Sequence, residues 1–136
     1  MEMAKPADML KKTLFIIGFF IVGTAIFISI MPKGFKDDLS LVGQGKNIAV
    51  LGYSDEIVQS VQMMAVVTKI RDTYKGRLEF LVADVTSTQG VQFQKNYGID
   101  NTTIIFFAPD GRQLTTVSWP QTAETLRQAI DQAYHF

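Results

Sequence analysis

The chain has 136 residues and a mass of 15.2 kDa, the size of one domain. Hydrophobic residues make up 47% of it, charged residues only 19%, and the mean hydropathy is +0.14, too apolar for disorder or for an ordinary small soluble domain. Thirteen basic and thirteen acidic residues cancel, which removes the electrostatic case for nucleic acid, and the absence of cysteine excludes disulfides, thiolate nucleophiles, iron–sulfur clusters and Cys-ligated zinc.

The lone histidine, His135, argues against multi-histidine metal sites and against a Ser-His-Asp triad. No metal site, cofactor or small-molecule substrate is therefore expected. The composition reads as that of a protein that is not an enzyme.

The excess hydrophobicity sits in one place. Residues 1–12 form a short polar tail, and Thr13–Met31, TLFIIGFFIVGTAIFISIM, runs nineteen residues without a charge. A helix of that length spans about 28 Å, close to the ~30 Å hydrocarbon core of a bilayer. Its apolar core is longer than that of a cleaved leader, and no A-x-A-like site follows, so it reads as a retained single transmembrane helix. Lys5, Lys11 and Lys12 precede it, against Lys33 and Lys36 after it. That bias places the N-terminus in the cytoplasm and the C-terminal domain in the periplasm of an inner-membrane protein. Gly18, Val22, Ala25 and Ser29 recur at helical spacing. They form either a packing stripe for another membrane helix or the ordinary small residues of such segments, the rest of the helix facing lipid.

Residues 32–46, with Pro32, several charges and Gly43-Gln44-Gly45, read as a linker to a domain over 47–136. Ile48-Ala49-Val50-Leu51-Gly52-Tyr53 is a buried-strand run. Ser54 is positioned to cap a helix with Asp55 and Glu56 in its first turn, and Ile57, Val61, Met64, Val67 and Ile70 form its predicted inner stripe. That phase leaves Val58, Met63 and Val66 on an outer apolar face, a candidate partner-binding surface if the linker does not cover it.

Leu78–Val85 is a second strand, and Thr86-Ser87-Thr88 caps a shorter helix with Val91, Phe93 and Tyr97 that closes at Gly98. Thr103–Phe107 is a third strand. Pro109-Asp110-Gly111 turns it into a fourth, Gln113–Trp119, and Pro120 ends that strand. Trp119 is either an exposed partner contact or a plug for the core. A last helix over 122–134 turns Leu126, Ile130 and Ala133 inward. The order is β-α-β-α-β-β-α, with parallel crossovers expected among the first three strands and an antiparallel edge from the hairpin.

From Asn47 to Tyr134 the chain resembles the thioredoxin family. The resemblance lies in element order, in Lys95-Asn96-Tyr97-Gly98-Ile99 before a Thr-rich apolar strand, and in the Pro109-Asp110-Gly111 hairpin. It implies an α/β fold, a mixed sheet flanked by helices. It also implies a Cys-x-x-Cys pair at the positions of Ile57 and Ser60, a buried acid at Leu51, and a cis-proline loop near Asn101-Thr102-Thr103; this sequence has none of the three. Thiol–disulfide exchange is chemically impossible without sulfur nucleophiles. The expectation is a redox-inactive, membrane-anchored accessory or assembly subunit whose partners are subunits of a membrane complex. The alternative is a tethered chaperone or maturation factor that holds client polypeptides transiently.

Overall fold

The computed structural model describes residues 10–19 and 34–136. Residues 10–19 are helical (α1), with Leu10, Leu14, Phe15, Ile16, Ile17 and Phe19 exposed. Among the described residues no helix is long and apolar enough to cross a membrane. Residues 20–31 of the expected span, including Val22, Ala25 and Ser29, lie outside the described residues. Gly18 lies within them and has no heavy atom within 4 Å of where its Cβ would stand.

A second unit begins at Phe35. Its strands are β1 (Ile48–Tyr53), β2 (Glu79–Asp84), β3 (Thr103–Phe107) and β4 (Gln113–Ser118), and its helices are α2 (Val58–Ile70), α3 (Thr88–Tyr97) and α4 (Ala123–Tyr134). The sheet order is β2-β1-β3-β4.

Period-2 alternation divides the strand residues between two cores. Ala49, Leu51, Phe80, Ile104 and Phe106 face α2 and α4. Ile48, Val50, Leu81, Ala83, Ile105 and Phe107 face Phe93 of α3. Both faces are covered, which is why β1 and β3 are apolar at nearly every position.

Local signals act as expected at several ends. The Ser87 hydroxyl accepts from the Gly90 N–H at 2.9 Å to start α3, and Gly98 ends it in the left-handed region at φ 63°. The Gly111 N–H closes the hairpin on the Ala108 carbonyl at 2.9 Å. Leu126 and Ile130 are fully buried, and Ala133 is half-buried against the same core.

Two expectations are corrected. β3 runs antiparallel to β1, not parallel. α3 has ten residues, a helix only about 15 Å long. Gly90, in its first turn, lies against the Asp84 backbone at the C-terminal end of β2, and Asp100, just after the helix, lies against Gly52 near the C-terminal end of β1. The chain thus re-enters the sheet at the end it left, and β3 has to run back down.

From Phe35 on, the stretch read as a linker belongs to the folded unit. Phe35 packs on the α2/α4 core, Lys36 bridges to Leu81 as a parallel extension of the sheet, and Leu39 is buried on the other face. The Gly45 N–H donates to the Pro109 carbonyl at 2.9 Å.

Candidate functional site

The C-terminal end of β1, the start of α2 and the 100–103 loop meet at one end of the sheet. Gly52 makes this possible. A Cβ there would overlap the Asp100 carbonyl, so the loop lies directly on the strand. An isolated glycine inside an apolar strand run is a signal that could have pointed to such a close approach, though not to the loop that makes it.

The turn after β1 is built on serines. The Ser54 carbonyl accepts from the Ile57 N–H at 3.3 Å, and the Ser54 hydroxyl accepts from Glu56 N–H at 3.4 Å. The Ser60 hydroxyl, fully buried in the first turn of α2, reaches back to accept from the Ser54 N–H at 3.0 Å. Ser54 therefore serves the turn and does not cap the helix as expected. α2 starts at Val58 with Ile57 at its N-cap position, no side-chain cap and no acid in its first turn. Ser60→Ala would strand the buried Ser54 amide, and a loss of about 1–3 kcal/mol is expected in urea unfolding. Ser60→Cys, which keeps a weak acceptor, should lose less; equal stability of wild type and Ser60→Ala would deny Ser60 this role.

On the facing loop, one Asp100 carboxylate oxygen accepts from the Thr102 N–H (2.9 Å), the Thr102 hydroxyl (2.8 Å) and the Thr103 hydroxyl (2.7 Å). The Thr103 hydroxyl, with these other donors, holds the carboxyl below its ordinary range against the opposing effect of burial. The Gln94 side-chain amide ties the same loop down, donating to the Ala83 carbonyl at 2.9 Å and to the Asn101 side-chain oxygen at 2.8 Å. Asp100 thus clamps the loop. A carboxyl depressed on folding contributes stability that is complete above its unfolded-state value and is lost as pH falls through the folded value. Asp100 is exposed, so the effect should be small. Carbon-13 titration should place its midpoint below the ordinary aspartate range, and Asp100→Asn should flatten the acid limb of the stability profile.

The positions singled out by the resemblance are placed as follows. Ile57 is half-buried at the head of α2, Ser60 is buried three residues on, and Leu51 is 2% exposed in the core. No peptide bond in Asn101–Thr103 is cis; among the described residues the cis bond is Trp119–Pro120. No group of three or more His, Asp or Glu side chains able to hold a metal occurs among the described residues.

The expected outer face of α2 is corrected. Val58 is exposed, but Met63 is completely buried and Val66 is half-buried against the core. The inward stripe is Ser60, Met63, Val67 and Ile70, continued by Tyr74, and the exposed apolar residues are Val58, Val61 and Ala65. The helix start and the buried Ser60 anchor rotate the phase. In the run Met63-Met64-Ala65-Val66-Val67, apolar nearly all round, no periodicity opposes that rotation. Trp119 is half-buried and packs on the α2/α4 core, nearer the plug than the free contact.

A mixed sheet with an antiparallel hairpin edge, α2 and α4 on one face and α3 on the other, is a thioredoxin-like fold. Solved structures similar to it include a thioredoxin from Thermus thermophilus (TM-score 0.63, 14% identity, 75% of this chain and 87% of that one). Another is thioredoxin O2 from Arabidopsis thaliana in its oxidised state (TM-score 0.57, 11% identity, 70% and 84%). A third is a malarial protein (TM-score 0.56, 13% identity, 65% and 97%). No protein-family model and no curated protein sequence matches the chain. The likeness is one of fold.

Proposed function

We propose that this chain is a redox-inactive, membrane-anchored thioredoxin-like protein that serves as an accessory or assembly subunit of a larger membrane complex. Its N-terminus would lie in the cytoplasm and its folded domain in the periplasm. The observation that carries the reading is the pairing of Ile57 with a buried, hydrogen-bonded Ser60 at the head of α2, where a thioredoxin keeps its two cysteines. The scaffold persists while its redox site has become part of the packing. The uncharged run Thr13–Met31 supplies the reason to invoke a membrane.

The test is purification of the full chain from native membranes in mild detergent. A stoichiometric set of membrane-protein partners is expected. Recovery of a monomer overturns the subunit reading, and a substoichiometric, heterogeneous set of bound polypeptides replaces it with a client-holding chaperone. In an insulin-reduction assay with dithiothreitol the protein should add nothing to the rate of the reductant alone, because it has no sulfur nucleophile. An added rate that survives repurification would overturn the redox-inactive reading.

A further inference from the structure

The net charge is zero, but in the folded unit it is divided by position. At the N-terminal ends of β1 and β2 stand Lys36, Lys46, Lys69, Arg71, Lys75 and Arg77. Lys36 and Lys46 both reach Glu79, at 2.8 and 3.9 Å, Lys69 lies in the last turn of α2, and Lys75 and Arg77 immediately precede β2. These six cations outnumber the acids at that end, Asp72, Glu79, Asp131 and, in the β3–β4 hairpin, Asp110. The opposite end of the sheet carries Asp55, Glu56, Asp84 and Asp100. Crossing the molecule along the strands therefore reverses the sign of its surface.

The basic end is also where the chain enters the fold. Phe35 is the first residue of the unit, and the Arg71 guanidinium lies over its ring at 4.2 Å. Only Pro32, Lys33 and Gly34 separate Phe35 from Met31, the end of the uncharged run. Four fully extended residues reach about 14 Å at most. Resting on the anchor reading, we propose that the basic end, centred on Lys69, Lys75 and Arg77 around the entry at Phe35, docks on the anionic phospholipid headgroups of the membrane that holds the anchor. The acidic end, with Asp55 and Asp100, then faces away from the bilayer. The tether keeps this end within reach of the surface, and headgroup charge attracts each nearby cation within a screening length.

The chain has no cysteine, so a single introduced one labels a single site. The full chain bearing Thr73→Cys at the basic end, or Gln59→Cys at the acidic end, carries a fluorophore in vesicles of phosphatidylcholine with about 30% phosphatidylglycerol and a headgroup-borne quencher. Quenching at position 73 should exceed that at position 59 several-fold. The difference should shrink in vesicles without phosphatidylglycerol, at about 1 M salt, where screening acts within ~3 Å, and in the exposed double variant Lys69→Glu/Lys75→Glu. Equal quenching at the two positions, or a difference indifferent to lipid charge and to the double variant, overturns the docking. Release of the chain by alkaline carbonate overturns the anchor reading and this inference with it. A carbonate-resistant chain with equal quenching overturns this inference alone.

Discussion

Met63→Glu is expected to unfold the domain. Met63 is completely buried among Leu51, Val67, Ile104, Leu126 and Ile130, a cluster of apolar side chains with no counter-charge. A carboxyl in such a place takes a proton rather than stay charged. Pushing its pKa up by about 3–5 units costs ~4–7 kcal/mol at neutral pH. A domain of this size holds only about 5–15 kcal/mol against unfolding. Far-UV circular dichroism should show lost structure, or a urea midpoint displaced by most of the transition. Met63→Leu, which conserves volume, should cost less than about 1.5 kcal/mol. Val58→Glu, on the exposed side of the same helix, should move stability by about ±0.5 kcal/mol. A Met63→Glu variant with an unchanged urea midpoint would mean that α2 is rotated relative to the sheet from the placement described above.

Gly90→Ala carries the second large effect, and its sign is opposite to what helix propensity suggests. Inside a helix, alanine is ordinarily better than glycine by about 1 kcal/mol. At position 90 the added methyl would fall on the backbone oxygen, nitrogen and carbonyl carbon of Asp84. Neither side yields easily. Asp84 is paired with Tyr53 across the sheet, its carbonyl accepts from the Ser87 N–H (3.1 Å) and hydroxyl (3.0 Å), and Gly90 N–H is held by Ser87. A loss of about 3 kcal/mol or more is expected, the upper end for forcing atoms into a packed site. Gly98→Ala is the control. It stands in open space but at φ 63°, so only the left-handed penalty of about 1–2 kcal/mol applies. If urea unfolding gives the two variants equal losses, the contact between α3 and the end of β2 is looser than described.

Chemistry and local punctuation were legible in the amino acids. A chain without cysteine has no thiol chemistry in any fold, so the exclusion needed no coordinates. The strands, the Ser87 cap, the Gly98 stop and the Pro109-Asp110-Gly111 turn were readable because each depends on neighbours within a few residues. The site was half legible. Ile57, Ser60 and Leu51 could be named by position from the resemblance, but the bond from the Ser54 amide to Ser60 could not, because its partners meet only when β1 and α2 are both formed. Likewise the Asp100 clamp and its seat on Gly52 needed the loop and the strand together.

What the tertiary structure alone decided has a common cause. The phase of α2 was ambiguous because Met63-Met64-Ala65-Val66-Val67 offers an apolar residue in almost every direction; the buried Ser60 and the sheet beneath chose Met63. The direction of β3 depended on where a short α3 returns the chain, which element order does not encode. Residues 35–46 looked like a linker because only Phe35, Leu39, Leu41 and Val42 in them are strongly apolar, and their partners lie far along the chain on both faces of the sheet. Charge count showed neutrality, whereas folding left an excess of cations at one end of the sheet and set Asp55, Glu56, Asp84 and Asp100 at the other. Interactions between neighbours in sequence are written in composition and spacing. Those between distant segments depend on which surfaces meet, and close packing settles that only once the whole sheet is assembled.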